Sequence, residues 1–213
     1  MRALLILRPE PGALATSLRA EALGMVADRH PLFRTEPVAW TLPPGRFDGL
    51  LLTSANAVRH AGALPALPIH AVGQATAEAA VAASGTVATI GDGGVKELLA
   101  ALTADLRLLH LAGEERIVPA SPAQEIVAVP VYRTVALDDP PASLVDGRVL
   151  LVHSPAAGRR VAALACDPAT VRIAAISEAA AAACGARGWN RAEAAERPDD
   201  GALLSLAASL CKD

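Results

Sequence analysis

Aromatic side chains are scarce in this sequence. One tyrosine, two phenylalanines and two tryptophans make up 2% of its 213 residues. Surfaces that bind single-stranded nucleic acid stack bases on aromatic rings, so a function of that kind is not expected. The formal net charge of −3 argues the same way, because phosphate backbones are bound by basic faces. Lysine is limited to Lys96 and Lys212, and the remaining basic side chains are arginines. Arginine forks suit carboxylates, although a compositional bias of the source would give the same count. Cysteine occurs only as Cys166, Cys184 and Cys211, an odd number without metal or redox spacing. A reducing, cytoplasmic setting with three inert thiols is the expectation. Long apolar runs are missing too. Leu4-Leu5-Ile6-Leu7 stops at Arg8-Pro9-Glu10, too short for a signal-peptide core. No uncharged stretch reaches the ~18–20 residues of a membrane span.

Familiar catalytic signatures are also absent. There is no phosphate-binding Walker loop, no G-x-G-x-x-G after a strand and no G-x-S-x-G elbow. Gly91-Asp92-Gly93-Gly94 is rich in glycine but reads as a loop turn. His30, His60, His70, His110 and His153 show no metal-ligand spacing, so a metal site is not expected.

What the chain has is hydrophobic residues, 53% of the total and much of it alanine. They fall into alternating strand-like and helix-like segments. Strands read over 3–7, 26–30, 48–53, 69–72, 87–90 and 107–111. Helices read from the Pro9–Gly12 turn to about Leu23, from Asn56 to near Gly62, and over 74–84 and 94–104. This alternation marks a parallel sheet covered on both faces. The pattern then restarts. Leu150-Leu151-Val152-His153-Ser154 parallels Leu50-Leu51-Leu52-Thr53-Ser54, and Ala175-Ile176-Ser177-Glu178 parallels Ala71-Val72-Gly73-Gln74. Two repeats, 1–105 and 106–213, follow. After the strand at 107–111, the segment from Gly113 to Gln124 is too short and proline-broken for the full helix expected there.

Pro130-Val131-Tyr132-Arg133-Thr134 has a near twin in Pro31-Leu32-Phe33-Arg34-Thr35, and Tyr132 is the one tyrosine of the chain. Each copy lies about a third of the way into its repeat, as if the chain left one domain and returned through a second crossing strand. The expected architecture is therefore α/β, with two flavodoxin-like, doubly wound, parallel-sheet domains joined by a two-stranded hinge beside a cleft. One domain is discontinuous, 1–34 with 134–213, and the other is an insertion, 38–130. The hinge strands lie near 31–37 and 130–136, and five strands are expected in each sheet.

Four strand-to-helix turns carry small polar residues. They are Thr53-Ser54-Ala55-Asn56, Gly73-Gln74-Ala75-Thr76, His153-Ser154-Pro155-Ala156 and Ser177-Glu178. Free N–H groups at helix N-termini bind anions, and these turns follow strands on the side where doubly wound folds hold ligands. Ordinary helix capping selects the same residues. His153 sits beside one such turn and could donate to a ligand, or could be a half-buried strand-end histidine.

Taken in order, the Val-Tyr-Arg-Thr crossing, Leu-Leu-Thr-Ser-Ala-Asn-Ala-Val, Ala-Val-Gly-Gln-Ala-Thr-Ala and His-Ser-Pro-Ala-Ala-Gly resemble the uroporphyrinogen-III synthase family over nearly the whole chain. The resemblance implies a cofactor-free, monomeric enzyme of tetrapyrrole synthesis. It would close hydroxymethylbilane, a linear octacarboxylate, into uroporphyrinogen III with inversion of the last ring and loss of water. Tyr132 would then assist departure of the hydroxyl, or only support the linker. Arg8, Thr53, Ser54, Asn56, Gly73, Gln74, Thr76, His153, Ser154 and Ser177 would hold the substrate. A reading of another class is a non-catalytic, hinge-bending cytoplasmic protein that binds a small anion. A nucleotide-dependent transferase fits worse, for want of a phosphate loop.

Overall fold

The computed structural model describes residues 2–91, 94–115 and 123–212. In chain order the elements begin with β1 (Leu4–Ile6), α1 (Gly12–Ala22), β2 (Ala27–Arg29), β3 (Phe33–Pro37), β4 (Gly49–Leu52) and α2 (Ala55–Ala61). There follow β5 (Ile69–Val72), α3 (Gln74–Ala82), β6 (Val87–Gly91), α4 (Val95–Ala100), β7 (Arg107–Gly113) and β8 (Glu125–Ala136). The last third holds α5 (Ala142–Val145), β9 (Val149–Val152), α6 (Pro155–Val161), a 3-10 turn at Pro168–Thr170, β10 (Arg172–Ala175), α7 (Glu178–Ala183), β11 (Arg191–Ala194) and α8 (Asp200–Leu210). Two compact units result, Met1–Arg34 with Ala136–Asp213, and Thr35–Val135.

In the first unit the sheet runs β2-β1-β9-β10-β11, and each neighbouring pair is parallel. Its central strands β1, β9 and β10 are short, mostly apolar runs because both faces are covered, whereas the edge strands β2 and β11 carry charged residues. Successive residues of β1 serve opposite cores. Leu5 packs with Val161 of α6 and Ala180 of α7, whereas Leu4 and Ile6 pack with Ala20 of α1 and with Leu203, Ala207 and Leu210 of α8. Burying such a leucine is worth about 1.5–3 kcal/mol. Helices α1 and α8 thus lie on one face and α6 and α7 on the other. The helices that follow the adjacent strands β1 and β9 go to opposite faces, which defines the topological switch point of a flavodoxin-like sheet.

The second unit has six strands, β3-β8-β7-β4-β5-β6, where five were expected. Both crossing segments join this sheet, which accounts for the extra strand. Pairs from β8 through β6 are parallel. Helices α2 and α3 cover one face through Ala57, Val58, Ala77 and Ala80, and α4 covers the other through Leu98 and Leu99. Helix α4 stops at Ala100, short of the predicted residue 104, and the Gln124 side chain satisfies the carbonyls of Leu99, Leu102 and Thr103 that the helix end leaves. Of the glycine-rich run, Asp92 and Gly93 lie outside the described residues, and so does 116–122 of the segment after β7.

The twin segments are used differently. The amides of His30 and Leu32 bond the carbonyls of Ile6 and Leu7, and the chain then enters β3 at Phe33. The return copy lies inside uninterrupted β8. There Pro130, which has no N–H to give, pairs with Ala112, and the register shifts immediately afterwards, between Ala112 and Gly113. Within the first unit Arg160 of α6 donates to the carbonyls of Leu32 and Leu137 and to Asp139, and stacks over the Phe33 ring. It ties the outgoing and returning chain to one helix.

Candidate functional site

In the first unit Arg8 and His153 follow just after β1 and β9, the two strands of the switch point. Between them lies Asp200, the first residue of α8. Its carboxylate accepts from the Thr16 hydroxyl at 2.9 Å, from Arg19 at 2.8 Å and from His153 Nε2 at 3.2 Å, and Arg8 lies 3.5 Å away. Burial alone would resist ionisation of Asp200, yet the donors from His153, Thr16 and Arg19 hold its carboxyl well below the usual range. The helix N-terminus favours the same charge. Burial lowers the pKa of His153, and Arg8 adds to this against the opposing hydrogen bond to Asp200. The imidazole is 7% exposed, and its Nδ1 faces the Leu151 carbonyl without a well-formed hydrogen bond. Arg8 is the more open member at 33% exposure, its guanidinium lying on Gly12, where a β-carbon would come within 2.6 Å of Nε.

Ser154 and Ser177 follow β9 and β10 on the same edge of this sheet. Each caps its helix, Ser154 accepting from the Ala157 amide and Ser177 from the Ala180 amide. A capping serine oxygen is an acceptor to the helix, and its O–H is still a donor for a ligand.

In the second unit Tyr132 lies on β8, half-buried, its ring packed on the cluster that contains Leu52, Leu111 and Val131. Gly113 at the end of β7 pairs with it, and the close approach requires glycine: a β-carbon there would meet Tyr132 Cζ at 2.9 Å. The His60 ring of α2 is 6.0 Å from the Tyr132 ring, centroid to centroid, and its Nε2 bonds the Thr35 hydroxyl at 2.8 Å. Leu52 is level with Leu111. Continuing that register puts Ser54, two residues past Leu52, level with Gly113 and hence with Tyr132. Ser54 caps α2, accepting from the Asn56 amide, while the Asn56 side chain accepts from Arg59. Thr53 instead bonds His110 Nε2, a buried histidine of β7.

One strand further on, Gly73 begins α3 with φ of +79°, a conformation that glycine supplies without strain. The first helical bonds come from Thr76 and Ala77 to the Gly73 carbonyl. The amides of Gln74 and Ala75 precede them and are the orphan donors of the helix start. Gln74 turns its side chain along the helix to Glu78, and Thr76 lies on the buried face.

The structure therefore gathers Arg8 with His153 around Asp200, and Tyr132 with Gly113 and His60, while Gln74 turns to Glu78 and Thr76 lies on the buried face of α3. Sequence reasoning missed Asp200, Thr16, Arg19, His60, His110 and Gly113. The one local signal near this cluster is a pair of aspartates ahead of an apolar run, which marks a helix start, and Asp199 caps α8, accepting from the Ala202 amide. Among the described residues no cluster of histidine, cysteine and acidic groups could hold a metal ion. Burial pushes the Cys184 thiol up to about 11 and raises Cys166 and Cys211, as suits inert thiols. No helix among the described residues is long and apolar enough to cross a membrane.

A family model described as uroporphyrinogen-III synthase HemD matches residues 14–205. Among solved structures, uroporphyrinogen-III synthetase from Helicobacter pylori 26695 is 18% identical, with a TM-score of 0.68 over 99% of this chain and 100% of that one. A mutant uroporphyrinogen III synthase from the extremely thermophilic bacterium Thermus thermophilus is also 18% identical, with a TM-score of 0.54 over 99% and 100% of the two chains. Identities this low speak for the fold. No curated protein sequence matches the chain.

Proposed function

The chain belongs to the uroporphyrinogen-III synthase family, and from that membership we propose how its residues carry the reaction. The enzyme cyclises hydroxymethylbilane to uroporphyrinogen III in haem biosynthesis. Loss of the terminal hydroxyl, as water, leaves an azafulvene that closes unaided to the uninverted isomer I. The enzyme's work is to make attack at the substituted carbon win, through a spiro intermediate, by positioning and by excluding water.

On this proposal the strand-to-helix turns of each unit take substrate carboxylates. In the first unit Arg8, His153, Ser154 and Ser177 do so. In the second Thr53, Ser54, Asn56, Gly73, Gln74 and Thr76 do so, chiefly through main-chain N–H groups. Tyr132 donates its phenolic O–H to the departing hydroxyl. The observation that supports this role is the pairing of Tyr132 with Gly113 at the end of β7, with the His60 ring 6.0 Å from the phenol ring. A neutral donor there can meet a leaving hydroxyl while its ring stays packed. We also propose that the enzyme works as a cytoplasmic monomer that binds no nucleic acid.

The test is incubation with freshly made hydroxymethylbilane and separation of the product isomers. Isomer III above the spontaneous background is expected. Isomer I alone, at the spontaneous rate, would sink the reading.

A further inference from the structure

Among the described residues the Tyr132 hydroxyl has no hydrogen-bond partner, so no polar contact sets its direction. Packing sets it instead. One neighbour is Gly113, where the ring leans so closely that a β-carbon would meet Cζ at 2.9 Å and the hydroxyl oxygen at 3.1 Å. A second is His60 in the last turn of α2, its ring centroid 6.0 Å from that of the phenol and the two planes tilted by 30°. That separation falls within the ~4.5–7 Å over which aromatic rings pair. Unlike the phenol, the imidazole is tethered. Its Nε2 bonds the Thr35 hydroxyl of β3 at 2.8 Å. The helix end that carries it is itself fastened, because the Trp40 indole N–H donates to the Ala61 carbonyl at 3.0 Å. Burial and the neighbouring Arg59 both lower the pKa of His60, so near neutral pH it packs on the phenol as an uncharged ring. Its influence is by contact, not by charge. Thr35, Trp40, His60, Gly113 and Tyr132 all belong to the second unit.

We propose that His60 is a positioning residue for the cyclisation: tethered by Thr35, its ring sets the direction in which Tyr132 presents its hydroxyl to the leaving group. This deepens the reading that Tyr132 assists departure of the hydroxyl, and rests on it. His60 itself touches no reacting atom. A phenol free to swing spreads its hydroxyl over many directions, and only those aimed at the departing oxygen help the reaction. A ring held by a strand backbone and by a tethered second ring has lost that freedom before the substrate arrives.

The experiment measures kcat and KM for isomer III from hydroxymethylbilane, and the share of isomer I, with a thermal melt of each protein. The variants are His60→Ala, His60→Phe, Thr35→Val, Tyr132→Phe, and His60→Ala combined with Tyr132→Phe. His60→Ala should lower kcat roughly tenfold and leave KM within about threefold, since it displaces the phenol and removes no substrate contact. His60→Phe keeps a ring beside the phenol and should recover most of that loss. Thr35→Val frees the imidazole and should lower kcat in the same direction by a smaller factor. Added to Tyr132→Phe, His60→Ala should bring no further loss of kcat, because the two side chains act as one unit. A purely structural histidine would lower the melt without this dependence on the phenol. If His60→Ala does not fold, Thr35→Val takes its place in the same comparison. Any of the following overturns the inference. Wild-type kcat in His60→Ala, with Tyr132→Phe still impaired, would show that the phenol is aimed without His60, and would leave the role of Tyr132 standing. A raised KM with kcat unchanged would make His60 a binding residue. No recovery in His60→Phe would show that the ring contact is not what matters, and a further loss in the double variant would show separate roles. Wild-type kcat in Tyr132→Phe would remove the phenol from the mechanism, and the role of His60 with it.

Discussion

Replacing Tyr132 by phenylalanine isolates the phenolic hydroxyl from everything else the residue does. The ring is held by the core cluster with Leu52, Leu111 and Val131 and by the face of Gly113, and a phenyl ring keeps those contacts. The hydroxyl has no hydrogen-bond partner among the described residues, so its removal leaves no buried group stranded. The stability change should stay within about 0.5 kcal/mol. The rate is another matter. General acid assistance is typically worth ~10²–10⁴-fold, but this leaving group departs spontaneously, so the low end or below applies. Isomer-III formation should fall roughly tenfold to a hundredfold, or about 1.4–2.7 kcal/mol of barrier. Uncatalysed isomer I should take its place. The assay is chromatographic separation of the two isomers over time, beside a thermal melt of each protein. A folded variant with wild-type rate and isomer ratio would remove the hydroxyl from the mechanism and leave catalysis to positioning.

The same ring can be displaced without being altered. Gly113→Ala puts a β-carbon 2.9 Å from Tyr132 Cζ, so the ring must shift; misplacement on the scale of ~1 Å can cost ~10²-fold, and an unchanged isomer-III rate would show that the position of Tyr132 is immaterial. Arg160→Leu deletes donors to the Leu32 and Leu137 carbonyls; it should cost about 1.5–3 kcal/mol in denaturant unfolding, and a loss under ~0.5 kcal/mol would show the tie to be idle. Burial lowers the pKa of His60, His70 and His153, with Arg59 adding to it at His60 and Arg8 at His153. Below about pH 6.5 the unfolded chain therefore binds more protons than the folded one, and stability falls as pH falls. Asp200, depressed when folded, adds a further loss below about pH 3.9. Melting temperature should be level near pH 8 and drop as pH falls from about 7 to 5, and a flat or rising curve over that range would contradict these burials.

The elements were legible where a local rule decides them. Leu50-Leu51-Leu52 and Val149-Leu150-Leu151-Val152 are buried on both sides, so each reads as an unbroken apolar strand. Gly24 and Gly62 stop α1 and α2 with positive φ, as their place after an apolar-periodic run predicts. The sixth strand was not legible, because whether a crossing segment pairs depends on a neighbour far off in sequence. Nor was the Asp200 cluster. Arg8, Thr16, Arg19, His153 and Asp200 come from four parts of the chain, and only the order β2-β1-β9 with α1 and α8 on one face brings them together. Serine caps were visible because capping is local. Their hydroxyls read as ligand donors, and the structure shows that each first serves its own helix.

Strand for strand, β7 and β4 in the second unit correspond to β1 and β9 in the first, since each pair forms the inner strands of the order 2-1-3-4-5. The residues at those equivalent ends differ. One unit places Arg8 and His153 around a carboxylate. The other places Gly113 and Thr53 beside a phenol and two histidines, His60 and His110. A repeat alike in sheet order yet different in charge fits a reaction with two unlike demands. Carboxylates are held best by fixed charge and oriented N–H groups. A departing hydroxyl needs a donor that shares a proton with the oxygen as the C–O bond breaks, so that it leaves as water. On the proposal above, the packing of Tyr132 against Gly113 answers the second demand. Arg8 and the helix N-termini of the strand-to-helix turns answer the first.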